Sequence, residues 1–158
     1  MNDPWFTPTA IAQSVLITRS YRHWLARDLL SANGASGQDV PTLARALFNA
    51  PQVVVSHGTE ADPVLNYGNQ SALALWEMSW EDLTRTPSRL TAEAVAREER
   101  ARLLDEVTRN GFISNYAGVR ISSTGRRFRI FEATVWNLID TDGRPAGQAA
   151  TFDRWEFL

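Results

Sequence analysis

Apolar and polar residues alternate along residues 127–139, which predicts a long β-strand. One predicted face carries Phe128, Ile130, Thr134, Trp136 and Leu138, and the other carries Arg127, Arg129, Phe131, Val135 and Asn137. The flanking segments Ser122–Gly125 and Asp140–Gly143 each end in glycine, which suits a tight turn. The pattern therefore predicts three antiparallel strands, the last of which covers Ala146–Asp153.

Glu132 interrupts the apolar face of this strand. A carboxylate in the middle of a strand is typical of an open end of a sheet or of a pair with an arginine, and we interpret Glu132 in this way. The alternative is an acidic group that lines a cavity, where its charge would be costly unless it were paired.

Upstream residues predict two more strands and the helices that cover the sheet. Val-rich Gln52–Ser56 and Val64–Tyr67 are strands by residue type. Asn69 and Ser79 are predicted to cap two short helices, the second over Trp80–Leu83. A longer helix is predicted over Thr91–Asn110, with Ala96, Leu103, Leu104 and Val107 inward and the run AREERAR forming its solvated surface.

The N-terminal part predicts a helix that is separate from the sheet. Thr7 and Pro8 favour a helix start, and the helix should continue to about Leu30 and stop at Asn33-Gly34. Its apolar stripe consists of Ile17, Tyr21, Trp24 and Leu25, and must be covered by its own sheet or by a second copy of the chain. After a loop over 31–38, a helix over Pro41–Phe48 begins the main domain, so we divide the chain into 1–38 and 39–158.

Composition excludes several classes of function. The net charge of -2 argues against a nucleic-acid-binding domain, although all sixteen basic residues are arginine. The absence of cysteine excludes disulfides, thiolate metal sites and a cysteine nucleophile. The chain has no apolar run long enough to cross a bilayer and no basic leader before such a run, so we expect a cytoplasmic protein that does not bind membranes.

A histidine and two carboxylates lie close together only in the loop that contains His57, Glu60 and Asp62. A catalytic zinc site usually has three spaced protein ligands, which this loop would have to bring together. We interpret the carboxylates as loop caps and expect no metal, while an acid–base role for the loop stays open.

The order of these elements resembles the Per-Arnt-Sim (PAS) fold, and three segments resemble one group within it, the MEKHLA domains. NYGNQSALALWEMSWEDLTRT and IDTDGRPAGQAATFDRW resemble the strand–turn–helix passage and the final hairpin of PAS domains. SYRHWLARDLL, SHGTEADPVLNYGN and SRLTAEAVAREERARLL resemble MEKHLA domains. The resemblance implies an α+β fold, with a five-stranded antiparallel sheet covered by helices on one face, plus the N-terminal helix.

The resemblance also limits the cofactors. Cysteine-linked flavin and p-coumaroyl chromophores are excluded because they need a cysteine. Haem is not expected, since the common haem-binding PAS domains use a histidine on the long helix and residues 91–110 contain none. MEKHLA domains end certain plant homeodomain-leucine-zipper proteins and occur alone in bacteria, so the resemblance implies a sensory or regulatory role without naming a ligand.

A pocket between the sheet and the helices is the expected binding site, because such pockets are mostly apolar with a few polar groups. The candidate lining residues are Tyr67, Leu73, Trp76, Tyr116, Phe128, Ile130, Trp136 and Thr151, with Arg89 or Arg120 able to hold an acidic group. The alternative is that these aromatic side chains fill the core completely.

The leading hypothesis is a non-enzymatic, stand-alone regulatory module that binds a small organic ligand or a protein partner. Its signal would pass through dimer or partner contacts, with Ile17, Tyr21, Trp24 and Leu25 as candidates for a homodimer interface. Two alternatives remain. One is an enzyme that acts on a small hydrophobic molecule with Glu132 or the His57 loop as acid–base group, and the other is a purely structural interaction domain.

Overall fold

The computed structural model describes residues 3–30, 39–92 and 97–158. The predicted loop over 31–38 and the 93–96 part of the predicted long helix, which includes Ala96, lie outside these ranges. The described α-helices are α1 (Pro8–Leu25), α2 (Val40–Phe48), α3 (Gln70–Trp76), α4 (Trp80–Leu83) and α5 (Arg97–Asn110), with short 3-10 helices at Pro4–Phe6 and Ser88–Thr91. The described strands are β1 (Val53–His57), β2 (Leu65–Gly68), β3 (Phe112–Ile121), β4 (Arg127–Ile139), β5 (Pro145–Phe152) and β6 (Arg154–Phe157).

The strands form one antiparallel sheet in the order β2-β1-β5-β4-β3. β5 pairs with the second half of β4, where Thr134 lies opposite Thr151, and β6 pairs with the first half, where Phe128 lies opposite Phe157. β5 and β6 therefore pair with the same edge of β4, and the two strands are separated from each other at Asp153. The predicted hairpin strands are present, and β6 is an addition to them.

Side-chain caps set several helix boundaries as predicted. Thr7 accepts a hydrogen bond from the Ala10 amide at the start of α1, and Ser79 accepts one from the Asp82 amide at the start of α4. The predicted end of α1 near Leu30 is wrong. Ala26 adopts a left-handed conformation (φ 58°) and its amide donates to the carbonyl of Arg22, which ends the helix at Leu25.

Asn69 is fully buried and joins three elements. Its side-chain oxygen accepts hydrogen bonds from the Ala72 amide, which caps α3 as predicted, and from the Val54 amide in β1. Its side-chain nitrogen donates to the carbonyls of Leu47 in α2 and Gln52 before β1. Because every donor and acceptor of this amide has a partner, Asn69 can be buried without an unsatisfied polar group.

The sheet separates two apolar layers. α1 and α2 cover one face, where Ile17, Leu47, Val54 and Trp136 belong to one buried cluster. On the other face lie α3, the Ser88–Thr91 helix and α5, with buried clusters that contain Val53, Trp76, Phe128, Leu103 and Val135. The N-terminal helix thus packs on its own sheet, on the face opposite to α3 and α5.

β4 changes its facing direction at Glu132, which corrects the predicted alternation. Glu132 has a left-handed backbone (φ 52°), and β4 has one extra residue there relative to β3, since Ile130 pairs with Gly118 and Ala133 pairs with Tyr116. One extra residue in a strand reverses the facing of every residue beyond it. Phe128 and Ile130 therefore face α3 and α5, whereas Trp136 and Leu138 face α1.

Candidate ligand-binding cavity

A cavity of about 70 Å³ lies between the sheet and the helices α3, Ser88–Thr91 and α5. Its apolar wall comes from both sides and includes Val55, Leu65, Trp76, Leu103, Ile130, Ala133, Val135 and Phe152. Its polar groups belong to His57, Ser88, Thr91, Arg100, Tyr116, Arg120 and Gln148. An apolar cavity into which a few polar groups converge is typical of a small-molecule site.

The structure brings four of the predicted pocket residues together in this wall, namely Trp76, Tyr116, Arg120 and Ile130. Phe128 is buried beside the cavity, packs edge-on against Trp76 and does not line it. Leu73 is half-buried on α3, outside the wall. Arg89 lies at the surface, where its Nε donates to the carboxylate of Asp62.

The remaining three predicted pocket residues lie on the opposite face of the sheet. Because of the bulge at Glu132, Trp136 faces α1. Its indole N–H donates to the Ile17 carbonyl there. Tyr67 packs against Trp80, and Thr151 lies opposite Val54 in the register. Trp136 and Tyr67 fill the core under α1 and α2, whereas Thr151 is half-buried and lines an open groove beside Tyr21, and none of the three lines the cavity.

Arg100 lines the cavity although the charge run that contains it predicts a solvated surface. It is 8% exposed and shares the buried stripe of α5 with Leu103 and Val107. The spacing of 100, 103 and 107 is the signal that could have identified it, since such positions share one helix face. One guanidinium N–H group donates to the Ser88 hydroxyl.

Burial, together with the nearby positive charge of Arg120, lowers the pKa of Arg100 to about 10. Arg100 therefore remains charged at neutral pH. Arg120 is also 8% exposed, and its Nη1 donates to the Val119 carbonyl at 2.8 Å while Nη2 donates to the Tyr116 hydroxyl at 3.4 Å. Two positive side chains thus share one small cavity.

Gly118 makes room for the side chain of Tyr116. A Cβ atom at Gly118 would lie 2.4 Å from the Tyr116 hydroxyl oxygen. The tyrosine can therefore lie along the surface of β3 next to Arg120, whose guanidinium carbon is 5.6 Å from the centre of the ring.

Two further buried polar atoms at the cavity have no hydrogen-bond partner among the described residues, namely Nε2 of His57 and Nε1 of Trp76. The Nδ1 atom of His57 lies 2.9 Å from the Gly58 carbonyl, which fixes the ring. Burial lowers the pKa of His57, so the ring is neutral at pH 7.

The other groups considered for acid–base or metal chemistry do not converge. Glu60 accepts from the Val64 amide, which agrees with its interpretation as a loop cap, whereas Asp62 pairs with the side chain of Arg89. Within the described ranges, no group of three or more histidine and acidic residues is placed to hold a metal ion. Glu132 is exposed, lies 4.0 Å from Arg154 and does not line this cavity.

A hydrogen-bond network connects the cavity with α5 and α1. Gln148 lines the cavity and donates to the Leu104 carbonyl, the Thr108 hydroxyl and the Asn137 side-chain oxygen. The Asn137 side chain donates to the Val107 carbonyl, and its backbone carbonyl accepts from the indole N–H of Trp24 at 2.9 Å. Gln148 and Asn137 therefore join both helical layers at one end of the sheet.

The four candidate interface residues of α1 all contact the chain's own core. Ile17 and Tyr21 are buried, and Tyr21 packs edge-on against Trp136. Trp24 and Leu25 are half-buried at the rim of the same cluster. No helix in the described part of the chain combines the length and apolar character needed to span a membrane.

Comparison with solved structures defines the class of protein. The fold matches a PAS domain of a protein from Colwellia psychrerythraea with a TM-score of 0.60 and 13% identity, over 73% of this chain and 92% of that one. It also matches the PAS domain of a LuxR-family transcriptional regulator from Burkholderia thailandensis, solved in complex with ethanol, with a TM-score of 0.52 and 20% identity over 72% of this chain and 95% of that one. The fold is that of a PAS domain, as predicted.

Comparison of sequences then gives the family. The MEKHLA domain matches residues 11–157, and the chain belongs to this family, as its sequence motifs indicate. The chain is 28% identical over 155 residues to the homeobox-leucine zipper protein ATHB-9 of Arabidopsis thaliana, across 96% of this chain and 18% of that protein. It thus spans about a fifth of the length of such relatives.

Proposed function

We propose that this protein is a sensory or regulatory module that binds a small organic ligand in the cavity between the sheet and α5. The observation that carries the proposal is the cavity itself, where apolar walls enclose buried polar atoms of His57 and Trp76 that have no partner in the described residues. Buried polar groups in proteins are normally hydrogen-bonded, so unpaired ones around a cavity favour an occupant.

The dimensions of the cavity favour a ligand of few atoms. An apolar cavity of ~150 Å³ holds benzene, and this cavity has about half that volume. Flavin and haem are far larger, so we do not propose either as a cofactor. The PAS domain of the LuxR-family regulator was solved in complex with ethanol, a molecule of suitable size, which supports this scale of ligand.

The network around Gln148 offers a route for the signal. A ligand that displaces Gln148 would alter its hydrogen bonds to α5 and to Asn137, and Asn137 holds Trp24 of α1. We propose that the output is a change in how α1 contacts the sheet, read by a second copy of the chain or by a regulatory protein. The cytoplasmic location expected from the sequence stays a prediction.

Native mass spectrometry of protein purified from its own host tests this function. We expect a stoichiometric small molecule that is released on denaturation, and the same spectra give the oligomeric state. Ala150→Leu should fill the cavity and abolish retention, because Ala150 lines it, whereas Ala101→Leu on the exposed side of α5 should retain the molecule. Retention by the folded Ala150→Leu variant, or an apo mass after exposure to a host extract, would contradict the proposal.

A further inference from the structure

The cavity contains two positive charges without a negative partner. Arg100 and Arg120 are each 8% exposed, and neither takes part in an ion pair within residues 3–30, 39–92 and 97–158. Burying a charge is costly unless it is paired, and arginine is rarely buried without a partner. Here the two charges also repel each other, since Arg120 is a cause of the lowered pKa of Arg100.

The hydrogen bonds of the two guanidinium groups are also incomplete. Together they carry ten N–H groups. Their hydrogen bonds to described residues number three, to the Ser88 hydroxyl, the Val119 carbonyl and the Tyr116 hydroxyl. All three acceptors are neutral, so none of them balances the charge. Trp76 adds a buried indole N–H at the same cavity that has no acceptor in the described part of the chain.

We propose that the cavity binds the carboxylate of a small organic acid, held by Arg100 and Arg120. This inference rests on the proposed function and specifies its ligand. A guanidinium group matches a carboxylate through two parallel hydrogen bonds, and a carboxylate accepts about four hydrogen bonds in all. The apolar remainder of the acid would lie against Ile130 and Val135.

The size of the cavity identifies suitable probes. By proportion to benzene in ~150 Å³, this volume holds roughly three non-hydrogen atoms, the size of formate, and acetate is one atom larger. Ligands of so few atoms bind weakly, with dissociation constants roughly in the micromolar to millimolar range. Nuclear magnetic resonance suits such affinities, and the indole N–H of Trp76 provides a probe in the cavity wall.

The test follows the Trp76 indole resonance, assigned by its loss in Trp76→Phe, during titration of the full chain at neutral pH and constant ionic strength. Acetate and formate should shift it saturably, while acetamide and formamide, which match them in shape and lack the charge, should not. Arg100→Gln and Arg120→Gln should each weaken acetate binding about tenfold or more. Arg89→Gln is the control, because Arg89 is exposed and pairs with Asp62.

The outcomes separate this inference from the proposed function. The acid–amide comparison uses the wild-type chain, so it decides the matter even if an arginine variant does not fold. Equal binding of acetate and acetamide would overturn the inference of a carboxylate ligand, while the proposed function as a small-molecule sensor would stand. Nitrate binding as tight as formate binding would assign the site to inorganic anions and also overturn it. No response to any probe, together with an apo mass from the host, would overturn both.

Discussion

Ile130 and Trp136 lie on the same strand at an even spacing, yet their side chains face opposite sides of the sheet. Residues at even spacing in a regular strand share a face. The left-handed residue Glu132 between them adds one position and reverses the facing of the second half of β4. The bulge therefore determines that Ile130 lines the cavity while Trp136 packs under α1.

The left-handed backbone of Glu132 predicts an unusual response to glycine. A left-handed conformation costs a non-glycine residue about 1–2 kcal/mol, and glycine in a strand loses about 0.5–1 kcal/mol in entropy. Glu132→Gly should thus be neutral or stabilising by up to about 1.5 kcal/mol, while Glu132→Val should be destabilising by about 1–2 kcal/mol. The exposed, 4.0 Å pair with Arg154 adds little to either result.

Urea unfolding measures these changes, and Arg129→Gly is the matched control. Arg129 is an exposed residue of the same strand without a positive φ, so glycine there should cost about 0.5–1 kcal/mol. A Glu132→Gly variant that loses as much stability as Arg129→Gly would contradict the strain assigned to Glu132.

The same residue shows how far the sequence alone reaches. Turn glycines, caps and β-branched runs predicted the strands and most helix starts, because these signals are local. The bulge could not be predicted, since glutamate carries no preference for a left-handed backbone, and the prediction therefore placed Trp136 with Ile130. Four of the ten predicted pocket residues line the cavity, and the errors at Tyr67 and Thr151 concern which face of a doubly covered sheet each occupies.

Arg100 was missed for a different reason. Charged residues on a helix are usually solvated, and burial of arginine depends on what the cavity holds, which periodicity does not report. Its spacing to Leu103 and Val107 was visible in the sequence, but the charge of the run outweighed it.

Because α1 packs against the sheet next to Gly111, we expect a methyl group at this position to lower the stability of the fold. This glycine has φ +96°, and a Cβ atom there would lie 2.4 Å from the ring of Trp24. Gly125 has a similar φ of +87°, but a Cβ atom there would meet no other atom within 4 Å. Gly125→Ala should cost about 1–2 kcal/mol through the backbone alone, and Gly111→Ala should cost at least about 1 kcal/mol more.

A double-mutant cycle isolates the contact with Trp24. In a Trp24→Ala background, the penalty of Gly111→Ala in urea unfolding should fall to that of Gly125→Ala, because the clash is gone. A penalty that is unchanged by Trp24→Ala would show that α1 does not lie against Gly111 in solution.

We expect replacement of the buried Asn69 by aspartate to cause a large loss of stability, although the two side chains have nearly the same shape. In Asn69→Asp the two carbonyls of Leu47 and Gln52 lose their donor and face a carboxylate instead. An uncompensated buried charge costs about 3–5 kcal/mol, so the free energy of unfolding at neutral pH should fall by about that amount. Ser79→Ala removes only an exposed cap and should cost about 0.5–2 kcal/mol, and equal losses for the two variants would argue against a buried Asn69.

His57 predicts a loss of stability in mild acid. Burial holds the pKa of the folded state below the 6.5 of the unfolded chain, so below pH 6.5 the unfolded state takes up a proton that the folded state does not. Stability should therefore be unaffected by this group above pH 6.5 and fall by up to about 1.4 kcal/mol per pH unit below it.

Urea unfolding between roughly pH 7.5 and pH 5.5 measures this slope. His57→Gln should reduce it, and His23→Gln on the exposed side of α1 controls for removal of a histidine. An identical slope in wild-type protein and His57→Gln would show that His57 titrates alike in the folded and unfolded states.

The bulge in β4 also governs how relatives of this chain should be aligned. If an alignment gap is placed one position away from Glu132, every residue in the second half of β4 is assigned to the wrong face of the sheet. Side chains that surround the cavity are then compared with side chains that pack under α1. Homologous positions such as Ala133 and Thr134 then trade roles without any visible loss of hydrophobic pattern. Comparisons of pocket chemistry across the family are meaningful only when they are anchored at the left-handed residue.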